Sequence, residues 1–293
     1  MNVPGVNGIA KIQAEASARH FYRVNVNGRN VVAMVYPEPN QEEIERIVRL
    51  TDVYLKHGVL VPEIERVVDD RILLLRDLGD MSLQKAFRKN DRNWRREKLM
   101  EVCRILAALQ EIPVANTSFL LGHERLKWEM DFFLEHYVGD FLGEAADIEA
   151  MRSRLHHMVE RIEPISVFAH RDFHCRNMQV CDGRIYLVDF QDSMKAAPYY
   201  DLVSFAFDAY LDLGVQREFL LREVENLGLG IDWEQYHLTA LQRNIKAMGT
   251  FGYQVAVNRR LAYKKYMPRT IRHIEANPLA VEILSPAMFD VFR

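Results

Sequence analysis

The sequence predicts an α+β chain in two lobes, a small strand-rich one over residues 1–78 and a larger, mostly helical one over 79–293. Three observations predict it. Up to Gly79, strand-forming residues alternate and are broken by turn dipeptides. Beyond Gly79, apolar residues recur at three and four, the helical period. That helical stretch is interrupted by a second small hairpin, "MQVCDGRIYLVDF", turning at Asp182-Gly183. A chain of 293 residues is long enough for two lobes, and residues 76–80 read as the hinge between them.

Taken in order, "FYRVNVNGRNVVAMVYP" alternates around Asn27-Gly28. Both positions of that dipeptide tolerate positive φ, as a two-residue type I′ turn requires. A helix is expected from Gln41 to His57, capped by Asn40, with Glu43 three residues on and Gly58 as the left-handed stop. Its buried stripe is expected at Ile44, Ile47, Val48, Thr51 and Leu55. "IERVVDDRILLLRDLGD" reads as two short strands around Asp69-Asp70. Helices are then expected over 92–110, 124–137, 147–162, 201–211 and 234–264.

Composition limits the function. Apolar residues make up 49 % and charged ones 27 %, the profile of a soluble globular enzyme. The net charge of −3 gives no electrostatic case for nucleic acid. No apolar run nears the roughly 20 residues of a membrane helix, and "MNVPGVNGIAK" lacks the apolar core of a signal peptide. Cys103, Cys175 and Cys181 form no CxxC pair, which fits a reducing compartment, so a cytoplasmic protein without membrane partners is expected. Residues 129–149 hold seven carboxylates and no Lys or Arg, whereas 259–272 hold six basic residues and no acid. Solvated helix faces explain both runs, and so would a cleft with one acidic and one basic wall.

The chemistry concentrates in "VFAHRDFHCRNMQV", followed after a short hairpin by Asp189-Phe190-Gln191. Phosphoryl transfer to a hydroxyl needs a carboxylate to orient the nucleophile and accept its proton, and oxygen ligands for the Mg²⁺ on the nucleotide phosphates. His170-Arg171-Asp172, Asn177 and Asp189 supply these types in the order that kinases use. The intervening hairpin returns Asn177 and Asp189 toward one point. Zinc is the weaker reading, because adjacent His174 and Cys175 do not both reach one ion comfortably. A Cys175 nucleophile would leave Asn177 and Asp189 unexplained. His170 and Arg171 read as structural, with Asp201 in "YYDLVSFAF" as the buried carboxylate that Arg171 could pair with.

"HRDFHCRN" with "LVDFQDSMKAAPYYDLVSF" resembles the aminoglycoside phosphotransferase and choline kinase superfamily. "EASARHFYRV", "LLLRDLGDMSL", "MDFFLEHYVG" and "LQRNIKAMGTFGYQ" resemble its bacterial branch of anomeric N-acetylmuramate and N-acetylglucosamine kinases, so the likeness runs over nearly the whole chain. The resemblance implies a protein-kinase-like bilobal fold with a nucleotide-binding first lobe and a second lobe for catalysis and acceptor binding. It implies ATP and Mg²⁺ as cofactors, Asp172 as catalytic base, and Asn177 and Asp189 as magnesium ligands. Gln191 extends the metal-binding turn, and Arg176 points into the cleft or lies on the surface. Met34, Leu75 and Leu78 are expected along the nucleotide.

Most members of the superfamily carry a phosphate-gripping lysine in the second strand of the first hairpin. In "NVVAMVYP" Met34 or a neighbour holds that place, and no lysine lies between Lys11 and Lys56. Either the chain binds nucleotide without turnover, or another cation serves. The expected substitute is Arg19, assisted by the Ser17 hydroxyl, with Arg23 and Arg29 as rivals; Glu43 and Glu45 then read as surface residues. For the acceptor, a small-molecule sugar, the candidates are Glu129, Asp131 and Glu135 in "LKWEMDFFLEHY" and Arg243 and Lys246 in "LQRNIKAMG", with Asp172 and Gln191. The acidic run keeps polycationic aminoglycosides open as a second acceptor class.

Overall fold

The computed structural model describes residues 6–12, 19–143 and 147–284. Strand β1 (Val6–Ile12) pairs with β2 (His20–Val26), which pairs with β3 (Arg29–Val35). Asn27 and Gly28 between β2 and β3 take φ of 51° and 86°, the left-handed pair of a tight hairpin turn. Helix α1 (Gln41–Lys56) follows, then β4 (Ile64–Val67) and β5 (Ile72–Arg76). The five strands form one sheet in the order β1-β2-β3-β5-β4. Alternation divides its faces: Val24, Val31, Ala33, Ile72 and Leu74 pack together on one. Met34 and Leu75, one residue out of phase with them, fall on the other.

Helix α1 starts as expected. Asn40 Oδ1 accepts the Glu43 N–H at 3.2 Å, and Asn40 Nδ2 donates back to Glu43 Oε2 at 3.1 Å. Its buried face is rotated from the expected stripe, taking in Leu50, Val53 and Tyr54, while Val48 and Leu55 are half-buried.

Further elements are α2 (Leu83–Lys89), α3 (Arg92–Glu111), α4 (His123–Phe133), α5 (Ile148–Glu160) and the short strand β6 (Val167–Ala169). The hairpin β7 (Met178–Cys181) and β8 (Arg184–Leu187) turns at Asp182 and Gly183, with φ of 50° and 73°. Then come β9 (Met194–Ala196), paired with β6, and α6 (Tyr200–Ala206), α7 (Gln216–Asn226), α8 (Trp233–Ala256), α9 (Met267–Glu275) and α10 (Ala280–Ile283). Two expected helices are shorter than read: 201–211 stops at Ala206, and 234–264 stops at Ala256 before a 3-10 turn at Leu261–Tyr266. Helix α4 instead runs on as a π-helix over Leu134–Leu142. No helix among the described residues is long and apolar enough to cross a membrane.

The chain packs as two compact units, Met1–Arg92 with Arg176–Asp192, and Asn93–Cys175 with Ser193–Arg293. The expected lobe boundary at 78/79 puts the β7–β8 hairpin with the helices; its packing joins it to the strand-rich unit. Val180 N–H donates to Met81 O at 2.7 Å and Leu187 N–H to Leu60 O at 2.8 Å. Arg76 ties the hairpin further, bonding Tyr186 Oη at 3.1 Å and Asp182 at 3.0 Å. Residues 76–80, read as a hinge, lie inside the same unit, where Arg23 bridges Asp77 at 2.5 Å and Asp80 at 3.1 Å.

In the second unit α4 and its π extension lie on α8. Met130, Phe133, Leu155, Leu241, Ile245 and Met248 are among the buried residues of that core. Gly249 and Gly252 make the approach feasible: a Cβ on Gly249 would lie 2.8 Å from Phe133 Cα, and one on Gly252 2.6 Å from His136 O.

Candidate active site

In the first unit the β7–β8 hairpin returns the chain so that Val188 N–H donates to Asn177 O at 2.9 Å, next to Asp189. Asp189 takes a φ of 65°, a left-handed backbone that a non-glycine residue adopts under constraint. Its Oδ1 accepts from Arg19 Nη2 at 2.7 Å and from Gln191 Nε2 at 3.1 Å. Its Oδ2 accepts no hydrogen bond among the described residues. Gln191, 6 % exposed, also donates to Asp192 Oδ2 at 3.0 Å, so the amide expected to face the acceptor is turned into the Asp189–Asp192 turn. The oxygens of Asn177, Asp189 and Asp192 are the hard donors that magnesium takes, so the residues present fit the ion.

Around Arg19, Nη1 donates to Glu43 Oε1 at 3.4 Å and lies 3.8 Å from Met34 Sδ. Glu43 also accepts from Tyr36 Oη at 2.9 Å. It is therefore no plain surface residue, as the missing lysine had suggested. Burial opposes the Arg19 charge, but Asp189, Tyr36 and Glu43 together raise its pKa above the ordinary value. Arg23, a rival for the phosphate role, is engaged by Asp77 and Asp80. Met34 and Leu78 are buried and Leu75 half-buried; Ser17 lies outside the described residues.

In the second unit two buried carboxylates shape the loop that carries Asp172. Asp201, in the first turn of α6, accepts the backbone N–H of His170 at 2.6 Å and of Arg171 at 3.0 Å. The Arg171–Asp201 link is thus made by the backbone, and Arg171 is held at a φ of 77°. Asp208, just past α6, accepts the Cys175 N–H at 2.8 Å and the Tyr210 N–H at 2.7 Å. Burial outweighs the downward pull of the two N–H groups and leaves the Asp201 carboxyl pushed up to about 7. Asp208 escaped the sequence reading, although its place seven residues after Asp201 was visible. Among the described residues no group of three or more His, Cys, Asp or Glu is arranged to hold a metal ion, and the Cys175 thiol is buried.

Asp172 lies between these anchors and lines a cavity of about 100 Å³ together with His174, Ser204, Tyr210, Arg243 and Lys246. Burial works against its charge, yet Lys246, Arg171, His174 and Arg243 outweigh burial and hold the carboxyl well below the usual range. Arg243 Nε donates to Ser204 Oγ at 3.1 Å. Burial and the neighbouring Arg243 both lower the Lys246 pKa.

The expected acceptor residues divide. Arg243 and Lys246 share the Asp172 cavity. Glu129 is 1 % exposed and accepts from Gln242 Nε2 at 2.9 Å, so it is an internal partner of α8 rather than an open sugar contact. Asp131 is bound by Arg152 at 2.9 Å and His156 at 3.0 Å, between α4 and α5. Glu135 is exposed on the π-helix. None of the three lines the Asp172 cavity, and residues two or six apart from Glu129 leave its helix face. Arg176 is half-buried and opens the segment that packs with the first unit.

Known proteins match this architecture. The family model described as "Phosphotransferase enzyme family" matches residues 8–238. An N-acetylmuramate/N-acetylglucosamine kinase of Pseudomonas aeruginosa is 24 % identical over 278 residues, covering 89 % of this chain and 81 % of its own. One from Neisseria meningitidis is 23 % identical over 281 residues, covering 89 % and 83 %. Among solved structures, a thermostable mutant of aminoglycoside phosphotransferase APH(4)-Ia, in ternary complex with ADP and hygromycin B, superposes with a TM-score of 0.68. It is 14 % identical, and the match covers 93 % of this chain and 95 % of that one. A choline/ethanolamine kinase family protein from Mesorhizobium loti gives a TM-score of 0.67 at 15 % identity, covering 99 % and 92 %. The α+β, protein-kinase-like fold expected from the sequence is the fold of these structures. By its own matched span the chain belongs to the phosphotransferase enzyme family.

Proposed function

We propose that this phosphotransferase uses ATP and Mg²⁺ to phosphorylate a sugar hydroxyl, the anomeric hydroxyl of an amino sugar such as N-acetylglucosamine or N-acetylmuramate. The observation that carries the reading is the state of Asp172, a carboxylate held ionised by surrounding cations at the edge of a cavity. Such a carboxylate is a weak base that orients a hydroxyl and takes its proton as the bond to phosphorus forms. An anomeric hydroxyl is more acidic than the other hydroxyls of a sugar, which suits so weak a base. The bacterial relatives named as amino sugar kinases support the acceptor class.

Asp201 and Asp208 keep the loop in shape through three of its backbone N–H groups, so Asp172 needs little reorganisation during transfer. Asn177 and Asp189 would hold the magnesium ion. When bound, the metal nucleotide supplies the γ-phosphoryl group and the positive charge that offsets its oxygens.

The test is ADP release with ATP, Mg²⁺ and a panel of hexoses, N-acetylhexosamines, choline and aminoglycosides. N-acetylhexosamines are expected to be the best acceptors, and their product to be an acid-labile glycosyl phosphate. An acid-stable monoester would place the transfer on another hydroxyl. Asp172→Asn should lower turnover by roughly 10²–10⁴-fold without weakening nucleotide binding; unchanged turnover would remove Asp172 as the base. Nucleotide binding without ADP release from any acceptor would make the chain a nucleotide-binding pseudokinase.

A further inference from the structure

We propose that Arg19 is the phosphate-gripping cation of this chain, standing where the missing strand lysine would reach, with Glu43 as its anchor. The proposal rests on the nucleotide-dependent reading above, and its contacts all lie within the first compact unit. Arg19 Nη1 is 3.8 Å from Sδ of Met34, the β3 residue at or beside the strand position where a lysine was sought. The same nitrogen donates to Glu43 Oε1 on α1 at 3.4 Å, and Nη2 donates to Asp189 Oδ1 at 2.7 Å. A side chain arriving from just before β2 therefore brings its charge to the site that a β3 lysine would occupy. On one side it meets the α1 carboxylate, on the other the carboxylate assigned to the metal.

Glu43 is fit to be an anchor because it is itself fixed, by Tyr36 Oη at 2.9 Å and Asn40 Nδ2 at 3.1 Å. The Arg19 and Glu43 side chains are 13 % and 20 % exposed, so the pair is partly shielded from water and salt. The planar guanidinium is charged at every relevant pH and carries donors on both edges. It can keep Glu43 on Nη1 while Nη2 passes from Asp189 to a phosphate oxygen as a metal nucleotide engages Asp189. A lysine in its place gathers its three donors on one nitrogen, and from just before β2 it spans the two partners less well than the two-edged guanidinium. Arg23 is bound by two carboxylates, and Arg29 is exposed at the hairpin end, so neither competes for the role.

The deciding experiment measures binding of a non-hydrolysable ATP analogue with Mg²⁺ by calorimetry, and turnover in parallel. The proteins are the full chain, Arg19→Ala, Arg19→Lys, Met34→Lys and the double variant Arg19→Ala with Met34→Lys. Circular dichroism and thermal melts check that each is folded. Arg19→Ala should weaken analogue binding by roughly 10–100-fold, the range for losing a hydrogen bond to a charged group. Arg19→Lys should fall between the two. The double variant should recover most of the lost binding and turnover, because a lysine on β3 meets Glu43 and the phosphates from the usual side. Analogue binding by folded Arg19→Ala equal to that of the parent overturns the assignment, and so does a folded double variant with no recovery. Failure of the parent to bind the analogue at all would bring down the nucleotide-dependent reading, and this assignment with it.

Discussion

Asp172 shows how one residue's chemistry is set by its neighbours. A half-buried carboxylate should titrate high, and it titrates low because Lys246, Arg171, His174 and Arg243 favour the charged form more than burial opposes it. Removing a cation raises the pKa of the acid it stabilises, so Lys246→Met should move the acidic limb of the kcat/KM profile to higher pH. One opposite charge at close range is worth roughly 1 pH unit. An acidic limb at the parent pH would take Lys246 out of the field that holds Asp172 ionised. At this scale the sequence gives its clearest expectation where chemistry fixes residue type and order, as in His170-Arg171-Asp172 and Asn177. It was least readable where a role depends on a distant partner. Glu43 read as surface because its partner Arg19 lies 24 residues away and meets it through the fold. Asp131 and Glu135 looked like sugar ligands by charge alone, whereas helix geometry turns them away from the Glu129 face.

Elements were legible in proportion to their local signals. The Asn27-Gly28 turn, the Asn40–Glu43 cap and the Asp182-Gly183 turn each state their backbone conformation in two to four residues, and each is found as read. The pair β6–β9 carries no such signal, because two three-residue strands separated by the β7–β8 hairpin are too short to show a period. The π-helix over Leu134–Leu142 was equally hidden, since its pattern continues that of α4. Across the interface from α4 and this segment stand two glycines of α8, Gly249 and Gly252. A glycine within a helix loses about 1 kcal/mol against alanine by propensity, so Gly252 by itself argues for improvement on substitution. Packing reverses that expectation. A methyl group there would stand 2.6 Å from His136 O and 2.7 Å from Tyr137 Cα, both backbone atoms unable to step aside singly. Gly252→Ala should therefore destabilise the protein by about 1–3 kcal/mol, read as a lowered urea midpoint. A midpoint at or above that of the parent would mean that α8 and the π-helix separate freely.

Across the whole molecule, the two charge runs of the sequence suggested a cleft with opposed walls, and the structure disperses most of both into local contacts. Glu129 is internal with Gln242, Asp131 and Glu149 are held by Arg152, and Asp140 pairs with His136 at 2.7 Å. In the basic run, Arg260 bonds Gln254, Lys264 lies over Phe141, and Arg269 donates to Ala209 O. The cavity at Asp172 is lined instead by Arg243 and Lys246, and both oxygens of its second carboxylate, Asp208, accept backbone N–H groups. On the proposed reading, Arg243 and Lys246 favour a neutral or anionic amino sugar over a polycation. Repulsion has a kinetic signature that contact alone lacks, because salt screens it over a Debye length of about 8 Å at physiological ionic strength. For a kanamycin-like acceptor, kcat/KM should start below that of N-acetylglucosamine and rise with added salt, whereas the neutral sugar should respond little. Attraction by a carboxylate-lined pocket predicts the opposite slope, a high value at low salt that falls as salt is added. Steady-state kinetics at two ionic strengths with both acceptors distinguishes the cases, and a falling slope for the aminoglycoside would reassign this enzyme to antibiotic acceptors.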